Sequence, residues 1–281
     1  MMQYGRMIAR AGARSAFVSV PMLMIAAGCH SSPQMEGVPV PSAPNTLTAA
    51  EAAAGWKLLF DGRTLNGWRG LGMTGTPAGH WTVEDGAIKK IATKNVPMVN
   101  GKRPPGGDII TDKLYHNFEV EWDWKMTPVG NSGLKYNVSE ALSLSGGKTA
   151  AELSPSTAAN RAALGFEYQM IDDDRHSDGK LPTHRSGALY DLITPNENKH
   201  LNPVGEWNHS KLVFVGNHGE HWLNGLKVVE YELGSPSFNE AFAKSKYKDI
   251  PGFATRRDTP IVLQDHTEEV YFRSIKIHEL P

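Results

Sequence analysis

The segment that decides the fold is Asn117–Met126, NFEVEWDWKM. Phe118, Val120, Trp122, Trp124 and Met126 alternate with Glu119, Glu121, Asp123 and Lys125 without a break. A period of two puts successive side chains on opposite faces, so this is a strand with one buried and one wet face. Its neighbours read the same way. In GLKYNV, Leu134, Tyr136 and Val138 oppose Lys135 and Asn137; in GFEYQM, Phe166, Tyr168 and Met170 oppose Glu167 and Gln169. GALYDLI (Gly187–Ile193) and VYFRSIKIHEL (Val270–Leu280) are two more predicted strands. KLVFVGNHGEHWLNGLKVVEYEL (Lys211–Leu233) is predicted to pair as a hairpin, because Asn224-Gly225 suits the two positive-φ positions of a type I′ turn.

No long segment has a helical period, and turn residues punctuate the strands. The expected fold is all-β: a two-sheet antiparallel β-sandwich of jelly-roll type with short helical insertions. Residues 139–164 form one insertion, with a short helix expected around 155–163. Residues 234–258 form the other, with a helix expected in SFNEAFAKSKYKD. Both are expected at the rim, where loops shape a binding site.

The chain has 281 residues and a formal net charge of −1, which argues against nucleic acid as a partner. Its seven Trp and eight Tyr suit a β core and also a sugar-binding surface. The N-terminus reads separately. Arg6, Arg10 and Arg14 precede an apolar run from Ala16 to Ala27, and AAGC ends at Cys29, the one cysteine of the chain. Residues 1–28 therefore read as a lipoprotein signal peptide, with Cys29 as the lipidated residue. Residues 29–54, rich in Pro, Ser and Ala, read as a flexible tether to a domain at 55–281. These features predict an exported, membrane-anchored cell-envelope protein, periplasmic or at the outer membrane. By analogy with other lipoproteins, His30 in place of Asp after the cysteine favours the outer membrane.

GWKLLFDGRTLNGW, WTVEDGAI, GGDIIT, GNSGLKYNV, GFEYQMIDDDRH, GALYDLI, GEWN, EHWLNGLKVVEYE and IVLQDH…VYFRSIKIHEL follow one another from Gly55 to Leu280. This ordered set resembles the 3-keto-disaccharide hydrolase family, formerly a domain of unknown function. The resemblance implies a concanavalin-like lectin/glucanase jelly roll. It also implies action on 3-keto-glycosides supplied by a separate sugar 3-oxidoreductase.

A 3-keto group acidifies the hydrogen on C2, so a base can form an enolate that expels the C1 substituent; water then adds back. Such a site needs a base, a stabiliser of the enolate oxygen and an acid for the leaving group. If the strands carrying Lys135 and Glu167 are neighbours, Lys135, Asn137, Glu167 and Gln169 share one face. We expect Glu167 as base or acid, Lys135 to hold the keto oxygen, and Gln169 and Asn137 to bind hydroxyls; an exposed cross-strand ion pair is the plainer alternative. His266 is a candidate acid/base. Asp108, Asn131, Tyr190, Trp207, His221 and Gln264 are candidate substrate contacts.

Asp172, Asp174 and His176, within a run that also holds Asp173 and Asp178, suggest a hard cation such as calcium. The run lacks a closing bidentate glutamate, so a solvated rim loop is the simpler reading; the chemistry requires no cofactor. Other readings remain open: a non-catalytic carbohydrate-binding lipoprotein, a classical endo-glucanase-like glycosidase and a structural surface protein.

Overall fold

The computed structural model describes residues 43–147 and 161–281. The signal peptide, Cys29 and most of the helix expected around 155–163 lie outside the described residues. The strands in chain order are β1 (Lys57–Leu58), β2 (Trp68–Gly70), β3 (Trp81–Glu84), β4 (Ala87–Lys90), β5 (Ile109–Thr111), β6 (Phe118–Met126), β7 (Asn131–Tyr136), β8 (Phe166–Ile171), β9 (Asn208–Val215), β10 (His218–Leu223), β11 (Leu226–Glu232), β12 (Val262–Leu263) and β13 (Val270–Glu279). Among the described residues the α-helices are short: α1 (Ala49–Ala53), α2 (Glu140–Leu144) and α3 (Pro236–Lys244).

The strands form two antiparallel sheets. The larger runs β11-β10-β9-β6-β13-β4-β3, with β1 also paired to β13, and the smaller runs β2-β5-β12-β7-β8. The expected sandwich is the observed one. On β6 the five apolar residues are all buried and the four polar ones half-buried, so its alternation reads directly as core and outer surface. Across the core, Trp122 meets Tyr168 edge to face, with ring centroids 4.9 Å apart. Asn224 and Gly225 both take positive φ, as the type I′ turn between β10 and β11 requires.

Both faces of β7 and β8 are buried. One packs into the sandwich. Over the other lies a second apolar cluster of Leu71, Ile110, Val138, Ala163 and Val262, which the first insertion caps through Ala163 and Leu144. The insertions therefore turn an open sheet face into a covered one, and the polar residues on that face sit in a low-dielectric pocket.

Two expectations change. Residues 43–54 are fixed to the larger sheet, not free as a tether. Asn45 binds Gly86 O and Ser274 N at 2.8 Å each. Thr48 caps α1, and Glu51 pairs with Lys276. GALYDLI is not a strand: Leu189 makes only isolated bridges, to Tyr168 and Ile193. Gly187 and Asp191 take positive φ and turn the chain back over β8.

Candidate functional site

The register of β7 against β8 sets Lys135 opposite Glu167 and Gly133 opposite Gln169. All three side chains therefore leave the sheet on the face away from the sandwich core. The β12–β13 connection adds Gln264 and His266, and the turn after β8 adds Asp178 and Tyr190. Asn131 and residues 162–164 complete the wall, and Lys246 and Tyr247 close it from the second insertion. The resulting cleft holds about 290 Å³. A cleft of the same volume lies at the other end of β8, lined by Trp124, Asp172–Arg175 and Leu201–Glu206, but Glu167, Lys135 and His266 are not part of it.

Glu167 is 5 % exposed. Its Oε2 accepts from Gln264 Nε2 at 3.2 Å and lies 3.8 Å from Lys135 Nζ. With the Gln169 amide oriented to satisfy its neighbours, its nitrogen donates to Glu167 Oε1 at 3.0 Å and to Ser132 O at 2.9 Å. Burial pushes the Glu167 carboxyl up; Lys135 pulls it down and Asp108 pushes it up, leaving it above the usual carboxylate range. A buried carboxyl held this way is a better proton acceptor than an ordinary glutamate. Gly133 makes room for it: a Cβ there would lie 2.4 Å from Glu167 Oε1.

Lys135 donates to Asp108 Oδ2 and to Ala163 O, each at 3.1 Å, and faces Glu167 with what remains. Burial lowers the amine, but Asp108 and Glu167 together raise it further, so it stays charged. Two of its three hydrogens go to Asp108 and Ala163, and the third has Glu167 Oε2 at 3.8 Å, beyond hydrogen-bond reach. Lys135 therefore lines the cleft with its charge shared between Asp108 and Glu167. Asp108 does not make the expected substrate contact. It is 1 % exposed and lies beneath Lys135, not in the cleft. It is saturated by Lys135, the Ala163 N–H (2.8 Å) and the Asp265 N–H (2.8 Å).

Glu167, Lys135, Gln169, Asn131, Tyr190, Gln264 and His266 thus share one cleft, and three further candidates do not. Asn137 lies past the end of β7 at φ 51° and clips the second insertion through Thr255 O (3.0 Å) and Arg257 N (3.1 Å). His221 is fully buried between the sheets, bonded to Tyr136 OH at 2.7 Å and Gly187 O at 3.0 Å. Burial lowers its pKa to about 4, so it stays neutral. Trp207 sits on the larger sheet, with the Arg273 guanidinium 3.9 Å over its ring.

The suggested cation site at Asp172, Asp174 and His176 is not assembled. Asp172 accepts from the Val129 N–H (2.9 Å) and pairs with Arg175 (3.2 Å). Asp173 pairs with Lys199, Asp174 is exposed, and Asp178 is held by His184 Nδ1 (2.7 Å) and Tyr190 OH (2.9 Å). Among the described residues, no group of three close metal-ligating side chains includes an aspartate of this run; His176 instead lies in one with His266 and Glu268.

Sequence reasoning missed Lys246, Tyr247 and Asp178. Lys246 Nζ lies 4.3 Å from the centre of the Tyr190 ring and 5.1 Å from that of Tyr247. No described carboxylate lies within 4.0 Å of it. The one available signal was the basic-aromatic pair in SKYKD, and nothing in its spacing tied it to β8.

Comparison with known proteins gives the same assignment. Residues 55–278 match the model of the 3-keto-α-glucoside-1,2-lyase-like domain family. The 3-keto-disaccharide hydrolase of Bacteroides thetaiotaomicron is 34% identical over 242 residues, which cover 81% of this chain and 79% of that one. A crystal structure from Parabacteroides distasonis, provisionally named a glycosyl hydrolase, aligns with TM-score 0.68 and 33% identity, covering 85% of this chain and 100% of that one. A second from the same organism has TM-score 0.55 at 24% identity, covering 80% and 99%, and supports the fold. The chain is a member of the 3-keto-α-glucoside-1,2-lyase-like family of glycoside-cleaving enzymes.

Proposed function

We propose that this enzyme cleaves 3-keto-glucosides or 3-keto-disaccharides, with Glu167 removing the C2 proton. The observation that carries the reading is the state of Glu167: a buried, raised carboxyl at the floor of a covered cleft, oriented by Gln264, Gln169 and Lys135. Proton loss from C2 gives an enolate whose negative charge rests on the C3 oxygen. Lys246, which faces the cleft without a carboxylate partner, supplies positive charge there. The enolate re-forms the C3 carbonyl as the C1–O bond breaks, leaving a C1=C2 double bond. Water adds to C1, and Glu167, whose carboxyl proton exchanges with the entering solvent, protonates C2, so the net change is hydrolysis. Asn131 and the unpartnered Gln264 Oε1 offer contacts to ring hydroxyls.

The C3 ketone has to be made first, so a sugar 3-oxidoreductase is the implied supplier. The Arg-rich start, the apolar run and Cys29 support export and lipid anchoring at the cell envelope.

One observation favours a classical two-carboxylate glycosidase: Asp178 also lines the cleft. Burial pushes its carboxyl up, but the His184 and Tyr190 bonds outweigh this and hold it low, as a nucleophile would be held beside a raised acid. Matched disaccharides with and without the 3-keto group separate the two. The keto route predicts free sugar from the oxidised one alone, lost in Glu167→Gln with the fold intact. Equal cleavage of the unoxidised disaccharide overturns it.

A further inference from the structure

The keto route needs an acid for the departing C1 oxygen, and the connection from β12 to β13 is built to hold one. Its backbone is pinned on both sides of His266. Gln264 N–H donates to Gly133 O at 3.0 Å, and Asp265 N–H to Asp108 Oδ1 at 2.8 Å. The Asp265 side chain is anchored to the fully buried Lys90 amine at 3.0 Å and takes the Gly107 N–H at 2.8 Å. On the other side, Thr267 O accepts from the Thr93 N–H at 2.8 Å. His266 thus stands on a fixed backbone, in the cleft with Glu167.

The ring is fixed as well. His266 Nδ1 lies 3.2 Å from Glu268 Oε2 and 3.3 Å from Thr267 Oγ1, and Nε2 has no hydrogen-bond partner among the described residues. His176 packs edge-on against the ring, with centroids 5.8 Å apart and planes at 73°. Burial raises the Glu268 carboxyl, but bonds from Thr267 and His266 outweigh it and keep it ionised. An ionised carboxylate is an acceptor only, and the Thr267 hydroxyl gives its one hydrogen to Glu268, so Nδ1 carries the proton they accept.

We propose that Glu268 is a positioning residue that locks His266 in the Nδ1–H form and makes Nε2 the leaving-group acid; this rests on the keto-sugar reading of the same cleft. In the imidazolium, Nδ1–H donates to Glu268 and Nε2–H to the glycosidic oxygen. As the C1–O bond breaks, its electron pair goes to that oxygen, which takes the Nε2 proton and leaves as an alcohol. The neutral imidazole then takes a proton from the water that adds to C1, and Glu167 protonates C2. The charges facing His266 are Glu268 on its own loop, His176 on the turn after β8, and Glu167 on β8 itself.

The test compares two 3-keto-glucosides, a disaccharide whose leaving sugar needs protonation and a 4-nitrophenyl glycoside whose phenolate does not. Glu268→Ala is expected to lower kcat on the disaccharide on the order of 100-fold, with KM little changed, and to leave the nitrophenyl substrate nearly untouched. Glu268→Gln, which keeps an acceptor without the charge, is expected to fall between. Nitrogen-15 NMR of the free enzyme, at a pH high enough to leave the ring neutral, should show His266 as the Nδ1–H tautomer, and Glu268→Ala should lose that preference. Equal loss on both substrates, a resting Nε2–H tautomer, or joint displacement of the His176 and His266 signals by stoichiometric zinc would each overturn the proposal. If the wild type turns over neither keto substrate, the keto-sugar reading fails, and the tautomer still decides the role of Glu268.

Discussion

Gly133→Ala tests the placement of Glu167 without touching a polar group. A Cβ at this position would lie 2.4 Å from Glu167 Oε1, 2.6 Å from Cγ and 2.7 Å from Cδ. Ordinary contact begins near 3.4 Å, so the carboxylate has to retreat by about 1 Å. The backbone of Gly133 is not in the left-handed region, so the added methyl itself is the whole perturbation. A shift of that size in a proton-accepting group costs roughly 100-fold in rate. Overpacking a filled site costs about 1–3 kcal/mol of stability. The assay is kcat on a 3-keto-disaccharide beside a thermal melt. Adding Glu167→Asp to Gly133→Ala shortens the side chain that clashes, and it should restore part of the lost stability. Wild-type kcat in Gly133→Ala would refute the assignment of Glu167 to the reacting centre.

Lys135→Met strands Asp108 as an uncompensated buried charge and should cost about 3–5 kcal/mol in denaturant unfolding. It also removes a charge that lowers the Glu167 carboxyl. Glu167 acts deprotonated, so activity rises with pH through its pKa, and this limb of the pH–rate profile should move to higher pH in the variant. His221 binds its proton more weakly folded, at about 4, than unfolded, near 6.5. The unfolded chain therefore takes up more protons between these values, and His221 should withdraw roughly 3 kcal/mol of stability as pH falls from 6.5 to 4. Replacing His221 with Leu should flatten that part of the curve, and an unchanged slope would contradict the buried neutral assignment.

Periodicity made most of the fold legible. The β6 alternation survives intact as core and surface, and Asn224-Gly225 turns where it should. Pairing the polar faces of β7 and β8 brought Lys135 and Glu167 together before any contact was known. GALYDLI failed because an apolar run of strand length carries no record of φ, and Gly187 and Asp191 make it a turn. His221 failed although its parity was visible: it is in phase with Leu223, which faces the core, whereas Trp222 is in phase with Glu220. Asn137 shared parity with Lys135, but the strand ends before it. Lys246 and Asp178 reach the cleft through tertiary folding of irregular segments, where no period exists to read. Asp108, expected to contact substrate, lies outside the cleft. Its place beneath Lys135 depends on strand order, which the sequence leaves open.

The most direct test of C2 deprotonation is the fate of the C2 hydrogen during cleavage in deuterium oxide. Elimination followed by hydration predicts that the released 3-keto-glucose carries solvent deuterium at C2 from its first turnovers, faster than the same sugar exchanges with enzyme denatured. It also predicts that Glu167→Gln abolishes both cleavage and labelling. Rapid cleavage with the original C2 hydrogen retained would contradict the account.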